Sequence, residues 1–247
     1  MSIFLSKKPI LLIFSLLLLP GCTYQNELTN DPIDPLESRN RSMYAFNESL
    51  DEVILEPAAD GYDYITPNML QKGINNFFYN INYPVTIINQ LLQGNIEEAL
   101  QDTLRFSINS SIGVFGLFDP ASSMGLPQHD EDFGQTLAVW GVKEGPYLML
   151  PFIGPKTLRS LTGDFTDILF NPLSIINDTN LKIKIYSISI LQERSDLSTL
   201  EEELDNSFDP YQYIKDSYFQ NRTYKIHNGV ITEDDEEVDF DFDFEDF

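Results

Sequence analysis

The apolar segments of this chain are short and interrupted by glycine and proline. Three of them occupy residues 10–19, 112–118 and 145–155. A helix needs about 20 predominantly apolar residues to span the hydrocarbon core of a bilayer, so none of the three suits a spanning helix. Segments of this length either pack into a core or lie at the shallow lipid boundary. Both interpretations stay open for residues 112–118 and 145–155.

The N-terminal segment has the features of a secretory leader. Lys7 and Lys8 precede the apolar run at 10–19, and the run is followed by Pro20, Gly21 and Cys22. This pattern predicts a signal peptide over residues 1–21.

A small residue directly before the one cysteine of the chain resembles the lipobox of bacterial lipoproteins. The resemblance implies cleavage before Cys22 and covalent lipid at that residue, the alternative being an unmodified cysteine after an ordinary leader. Two or more acyl chains hold a protein stably on a membrane. The residue after the cysteine is Thr23 rather than aspartate, which resembles lipoproteins that are sorted to the outer membrane.

The charge of the chain excludes several classes of partner. Fifteen Lys and Arg residues stand against 39 Asp and Glu residues, for a formal net charge of −24. Nucleic-acid binding needs a basic surface, and binding to anionic lipid by charge alone needs a polybasic patch. The excess of acidic residues argues against both kinds of partner. Residues 233–247 contain ten acidic residues and no basic ones, which predicts a disordered tail. Its alternating phenylalanines leave open a role in binding a basic partner.

Periodic apolar positions predict a mostly helical protein. They recur at helical spacing over 36–55 and 96–112. Thr66 is expected to be an N-cap with Pro67 at the first helical position. Pro84 is expected to open a further apolar segment.

The remaining pattern divides the chain into regions. Residues 181–191 fit both a strand and a helix, because their apolar residues alternate and also form a helical stripe. Residues 22–35 are polar with two prolines and predict a lipidated tether, which leaves 36–232 as a single helical domain.

Catalytic motifs are scarce. The cluster with catalytic-looking residue types is His129-Asp130-Glu131-Asp132. Adjacent side chains point in different directions, so they rarely converge on one metal ion. A structural or partner-contacting acidic turn is favoured over a metal or catalytic site, and neither a cofactor nor a metal is expected.

Five segments, in order, resemble the MlaA/VacJ family of outer-membrane lipoproteins. Together they extend over nearly all of the mature chain, behind the lipobox. They read DPLESRNRSMYAFNESLD from Asp34, NYPVTIINQLLQG from Asn82, RFSINSSIGVFGLFDPAS from Arg105, LPQHDEDFGQTLAVWGVKEGPYLMLPFIGP from Leu126 and DPYQYIKDSYFQNRTYKI from Asp209.

The resemblance implies a ring-shaped, mostly α-helical protein in the inner leaflet of the outer membrane, on its periplasmic face, with a central channel. It further implies removal of mislocalised phospholipid from the outer leaflet and transfer to a periplasmic carrier, MlaC. The expected membrane partners are trimeric porins of the OmpC/OmpF type. Such a protein moves intact lipid and needs no catalytic nucleophile.

Two sets of residues are candidates under this resemblance. The channel or lipid-contact set comprises Gly113, Phe115, Gly116, Phe118, Tyr147, Leu148 and Phe152. The structural set comprises Asn40, Arg41, His129, Asp130, Asp132 and Gly134. A buried arginine needs a partner, so Arg41 is expected to pair with one of the acids at 130–132.

Two other functions remain in view at this point. One is a periplasmic lipid hydrolase that uses the acidic turn at 129–132. The other is a lipoprotein that only scaffolds an envelope complex. Bound phospholipid in the purified protein would count against pure scaffolding.

Overall fold

Helices form most of the structure, and one short β-hairpin interrupts them. A computed structural model describes residues 31–198 and 201–229. The predictions for the signal peptide, Cys22 and the acidic tail at 233–247 therefore lie outside the described residues. So do residues 22–30 of the predicted tether, whereas residues 31–35 belong to the described part.

The elements follow one another in a single helical domain. The α-helices are α1 (Glu37–Leu50), α2 (Glu56–Ile65), α3 (Asn68–Gln93), α4 (Ile96–Ser111), α5 (Pro120–Ser123), α6 (Phe133–Val139), α7 (Leu158–Asp167), α8 (Thr179–Leu197), α9 (Glu201–Asp205) and α10 (Pro210–Ile226). The other elements are a π-helical turn (Asp51–Leu55), the strands β1 (Tyr147–Leu150) and β2 (Gly154–Thr157), and a 3-10 turn (Pro172–Ile175).

The helix predicted over 36–55 is present and continues further than expected. Helix α1 runs through the π-helical turn directly into α2. Pro57 is the second residue of α2, which follows directly on the π-helical turn.

The boundaries expected at Thr66 and Pro84 are wrong. Thr66 closes α2 by donating its N–H to the Tyr62 carbonyl, and Pro67 is the N-cap of α3. Pro84 lies inside α3, which continues to Gln93. Its neighbours Tyr83 and Val85 are both buried. Their burial stabilises the helix against a proline that costs about 3 kcal/mol in an isolated helix.

The segment that fits both a strand and a helix is helical. Asp178 caps the N-terminus of α8, since its Oδ1 accepts the N–H groups of Asn180 and Leu181. Capping satisfies backbone donors that a helix start leaves unpaired, and this local signal favours the helix. The apolar alternation of 181–191 then places isoleucines around the helix, with Ile183 and Ile190 exposed.

The glycine-rich and proline-rich stretch at 145–155 forms an antiparallel hairpin. Tyr147 pairs with Thr157 and Leu150 with Gly154. Tyr147 and Met149 point into the core, as the two-residue period of a strand requires. They pack with Tyr211 of α10 in the main hydrophobic cluster. The core interpretation therefore holds for the strands.

Asn40 joins α1 to this hairpin. Its Nδ2 donates to Asp34 Oδ1 at 2.7 Å and to the Tyr147 carbonyl at 3.1 Å. Its Oδ1 accepts the Met149 N–H at 3.0 Å. Asn40 is buried and uses both ends of its amide, so it substitutes for a neighbouring strand along the edge of β1.

Arg105 joins α3, α4 and the loop between α4 and α5. Its side chain is 1 % exposed. It donates to the Tyr83 hydroxyl at 2.6 Å, to Asp119 Oδ2 at 2.8 Å and to the Leu126 carbonyl. Asp119 in turn caps α5 by accepting the Ser122 N–H. One buried guanidinium thus binds the chain on both sides of α5, at Asp119 before it and at Leu126 after it.

We expect Asn40→Ala to lower the free energy of unfolding by about 2–4 kcal/mol, because it leaves the buried Met149 N–H without its acceptor. Asn47→Ala is the matched control on the same helix: Asn47 bonds Leu150 and Phe152, at the exposed end of the hairpin. Water can replace those bonds, so its loss is expected to be less than half as large. Thermal or urea unfolding in detergent measures both, and equal losses would contradict the role assigned to Asn40.

Candidate functional site

Polar side chains dominate the interior, and many large apolar side chains lie on the surface. Among the described residues, buried polar and charged side chains outnumber buried hydrophobic ones. The exposed apolar set includes Leu100, Leu104, Phe115, Phe165 and Leu169. Large exposed apolar patches mark sites that contact other proteins, membranes or ligands. No helix within the described ranges is long and apolar enough to cross a membrane.

Asp132 is the best-anchored residue of the acidic turn at 129–132. Its two carboxylate oxygens accept from Arg222 of α10, at 2.5 and 3.0 Å. Asp132 is also the N-cap of α6 and accepts the Gln135 N–H. Burial alone would raise the pKa of Asp132, but the bidentate guanidinium and the Gln135 N–H lower it to about 2. Asp132 therefore remains ionised and fixes α10 to α6.

The partner expected for Asp132 was Arg41, and that expectation is wrong. Arg41 donates to Glu37 on its own helix and to both oxygens of Asp209, the N-cap of α10. Its guanidinium carbon also lies 4.4 Å from the centre of the Tyr211 ring. Both arginines thus bind α10, but at different places. Sequence order alone does not say which acid is near which arginine.

His129 points toward α4, whereas Asp130 and Asp132 both bind side chains of α10. His129 Nδ1 lies 3.0 Å from Oδ1 of the fully buried Asp102 on α4. This hydrogen bond raises the pKa of His129 above its ordinary value, against the effect of burial. Asp130 is exposed and accepts from Lys225 of α10 at 2.6 Å. The turn therefore bridges α4 and α10.

Glu131 is a buried carboxyl group without a basic partner at hydrogen-bond distance among the described residues. Gln93 donates to its Oε2 at 2.8 Å. Burial raises the pKa of Glu131 to about 7; the hydrogen bond from Gln93 opposes this rise, and the charges of Asp132 and Asp130 add to it. In the described ranges, no group of three or more His, Cys, Asp or Glu residues is arranged to hold a metal ion.

Gly134 lies where two helices touch. A Cβ built on Gly163 of α7 would come within 2.3 Å of the Gly134 nitrogen, and one on Gly134 would meet Asp132 and Arg222 at about 3 Å. Only glycine at both positions lets α6 and α7 approach this closely. Gly134 therefore lies at a close contact between α6 and α7.

The loop between α4 and α5 buries its glycines and exposes its aromatic residues. A Cβ on Gly116 would lie 2.3 Å from Asn80 of α3, and one on Gly113 would meet backbone at a similar distance. Phe115 is 76 % exposed and has a φ of 59°, a conformation that is uncommon outside glycine. Phe118 is also exposed. The close glycine contacts hold the phenylalanines outward.

The hairpin candidates divide between the core and the surface. Tyr147 is fully buried and Leu148 partly buried, whereas Phe152 at the hairpin tip is 69 % exposed with a φ of 66°. Phe152 contacts Phe46 of α1 edge to face. Tyr147 is thus a core residue, whereas Phe152 lies on the surface.

An open pocket of about 430 Å³ lies beside Asp132. It is bounded by α3, the N-terminus of α6, the end of α7, the 3-10 turn and the start of α8. Its charged lining residues are Asp132, Asp164, Asp167 and Lys182. Burial raises the pKa of Asp167 to about 6, although Asn89 and the Phe133 N–H donate to it.

Of the candidate residues, only Asp132 lines this pocket. The structure does not bring the loop at 113–118 or the hairpin residues to its lining. Sequence analysis missed Asp164, Asp167 and Lys182. The sequence contains only weak signals for these residues. Asp164 and Asp167 are three residues apart and so share a helix face, and Lys182 interrupts the apolar stripe of 181–191.

We expect Glu131→Gln to stabilise the protein increasingly as pH rises from about 4.5 to above 7. The folded state holds a proton on Glu131 that the unfolded state releases near its ordinary pKa, so ionisation destabilises the fold at higher pH. Each pKa unit corresponds to about 1.4 kcal/mol, and the gain at pH 8 should be a few kcal/mol at most. Urea unfolding in detergent at pH 5 and pH 8 measures it.

Glu97→Gln is the matched control, because it makes the same chemical change on an exposed side chain of α4. A gain of the same size in both variants would show that burial of Glu131 is not the cause.

Comparisons with known proteins agree on one family. The family model described as MlaA lipoprotein matches residues 32–225. A Shigella flexneri protein named intermembrane phospholipid transport system lipoprotein MlaA is 32 % identical over 219 residues, covering 87 % of this chain and 86 % of the relative. The Haemophilus influenzae protein of the same name is 30 % identical and covers 92 % and 93 % of the two chains.

Two further similarities extend the set. An uncharacterized protein of Rickettsia bellii is 38 % identical, covering 76 % of this chain and 75 % of the relative. A solved structure described as "Structural basis for maintenance of bacterial outer membrane lipid asymmetry" superposes with a TM-score of 0.72 at 34 % identity. It covers 78 % of this chain and 98 % of that one. The family match over most of the described fold shows that this chain belongs to the MlaA lipoprotein family.

Proposed function

We propose that this chain is an outer-membrane lipoprotein that removes mislocalised phospholipids from the outer leaflet and passes them to a periplasmic carrier. The observation that carries the proposal is its similarity, over about nine-tenths of its length, to proteins named for intermembrane phospholipid transport. By this function the protein would maintain the lipid asymmetry of the outer membrane.

The exposed positions of many apolar side chains support a location of the protein within lipid. Exposed apolar residues include Ile112, Val114 and Phe115 in the loop after α4, and Ile168 and Leu169 after α7. Irregular backbone is tolerated at membrane depth where its polar groups are bonded inside the protein. The N–H groups of the loop at 113–118 donate to backbone carbonyls, among them those of Asn109 and Gly113. This pattern suits insertion into one leaflet.

The ring and its channel remain part of the proposal. A lipid headgroup needs a polar path through a protein that lies among acyl chains. The pocket beside Asp132 offers carboxylates, a lysine and amides, next to an exposed apolar rim. We place the headgroup route at this pocket. The loop at 113–118 and the hairpin tip at Phe152 are the proposed lipid contacts.

Anchor and partners follow from the same function. Cys22 would carry the covalent lipid and hold the protein on the periplasmic face of the outer membrane. A trimeric porin of the OmpC/OmpF type would receive it in the membrane, and the carrier MlaC would accept the lipid in the periplasm.

The geometry of the acidic turn counts against a lipid hydrolase. His129, Asp130 and Asp132 bond three different partners: Asp102, Lys225 and Arg222. General acid–base catalysis needs groups that can reach one reacting atom, whereas each of these side chains is held in a hydrogen bond to a partner of its own. A lipoprotein that only scaffolds an envelope complex needs neither this pocket nor the exposed apolar surfaces.

A strain lacking this protein is expected to accumulate phospholipid in the outer leaflet, and the wild-type gene should reverse the accumulation. The amount of phosphatidylethanolamine that reacts with a membrane-impermeant amine reagent measures it. Cys22→Ala should fail to reverse it, because a protein without acyl chains is held only weakly at the membrane. Full complementation by Cys22→Ala, with normal outer-membrane fractionation, would contradict the lipoprotein assignment.

Phe115→Asp should reduce this complementation several-fold without lowering the melting temperature. The side chain is largely exposed, and aspartate tolerates the left-handed backbone found there, so the change acts on lipid contact. Phe115→Leu is the matched control, since it keeps an apolar group at the same position. If both variants complement equally well, the loop does not contact lipid.

A further inference from the structure

Two of the charged groups in the pocket beside Asp132 are already neutralised by ion pairs. Asp132 is held by Arg222 through two hydrogen bonds. Asp164 pairs with Lys156, the two charged atoms being 2.7 Å apart. These pairs leave Asp167 and Lys182 as the charged lining groups that have no ion-pair partner in the described ranges.

Lys182 differs from the other basic residues of the described ranges. Its Nζ donates to the Ser174 carbonyl at 3.3 Å, and the side chain is partly buried. The remaining bases outside ion pairs are all exposed: Arg39, Lys72, Lys143 and Lys184. In so acidic a protein, a partly buried ammonium that faces only a carbonyl has the capacity to bind an anion.

Asp167 offers the opposite charge in the same pocket. One oxygen accepts from Asn89 at 2.9 Å and the other from the Phe133 N–H at 2.9 Å. Both donors are neutral, and a carboxylate can accept up to four hydrogen bonds. Its pKa of about 6 leaves it ionised at neutral pH. The charged lining groups without an ion-pair partner in the described ranges are therefore one cation, Lys182, and one anion, Asp167.

We propose that this pocket selects phospholipids whose zwitterionic headgroup carries a primary ammonium, with the phosphate at Lys182 and the ammonium at Asp167. The inference rests on the proposed function and adds a substrate class to it. A headgroup with phosphate and neutral glycerol would satisfy Lys182 but leave Asp167 beside an unmatched negative charge. Such a mismatch in a partly dry site disfavours binding.

The shape and the rim of the pocket agree with this substrate. Its volume lies at the low end of the roughly 300–1,000 Å³ usual for small-ligand sites, which suits a headgroup without its acyl chains. Ile168 belongs to the lining and is exposed, and Leu169 and Phe165 nearby are exposed as well. Acyl chains can leave the pocket over these residues. Tyr186 is the aromatic lining residue, whereas quaternary ammonium groups favour cages of several rings.

The test uses the full-length lipidated protein, purified in detergent and incubated with vesicles of equal parts phosphatidylethanolamine, phosphatidylglycerol and phosphatidylcholine. Lipid retained on the repurified protein is quantified by mass spectrometry. The wild type should retain phosphatidylethanolamine over phosphatidylglycerol by about fivefold or more, as expected for one charge-assisted hydrogen bond in a partly exposed site. Asp167→Asn should bring this ratio close to one.

Lys182→Gln should lower the retention of all three lipids several-fold, because all of them carry the phosphate. Lys184→Gln is the matched control on the same helix: it removes the same charge from an exposed side chain outside the lining. It should retain lipid as the wild type does. Melting temperatures are measured for each variant, since Asp167 also bonds Asn89 and the Phe133 N–H. If Asp167→Asn unfolds, the ratio of phosphatidylethanolamine to phosphatidylglycerol retained by the wild type and the displacement by phosphoethanolamine test the selection.

Three outcomes would overturn the inference. Retention in equal proportions by the wild type would exclude headgroup selection while leaving lipid transport intact. Equal losses in Lys182→Gln and Lys184→Gln would exclude the phosphate contact. Displacement of the retained lipid by inorganic phosphate as effectively as by phosphoethanolamine would show a simple anion site. A wild type that retains no phospholipid at all would contradict the proposed function itself.

Discussion

Most polar side chains in the interior of this protein are hydrogen-bonded, and this requirement organises the fold. Leaving a buried donor or acceptor unpaired costs about 1–3 kcal/mol, and more for a charged group. The interior has few large apolar clusters and many polar groups, so the helices are joined by specific bonds. Arg222 fixes α10 to α6, Arg105 fixes the loop after α4, and Asn40 fixes α1 to the hairpin.

The same constraint explains why the surface can be apolar. A protein seated in one leaflet gains nothing from hiding leucine and phenylalanine, because the surrounding acyl chains are equally apolar. Its polar groups must instead be bonded within the protein or gathered around a wet pocket. Exposed Phe115 and Leu169 on the outside, with Asp167 and Lys182 at the pocket, follow this division. A phospholipid likewise combines apolar acyl chains with a polar headgroup.

Local signals predicted part of this structure well. Helical spacing located α1 and α4. Residues 181–191 fitted both a strand and a helix, and the cap at Asp178 favours the helix. The prediction failed at Pro84, which stays inside α3 because Tyr83 and Val85 on either side of it are buried. Propensity is a weak signal compared with such tertiary contacts.

The sequence by itself determined the class of protein: a helical chain with short, interrupted apolar segments, in a family that five ordered segments identify. These are properties of neighbouring residues and of spacing. Only the tertiary structure decided that Arg41 binds Asp209 while Asp132 binds Arg222, and that Asp167 and Lys182 share one pocket. Those pairs are far apart in the chain or on different helices. Charge attraction depends on distance in space, which residue order does not contain.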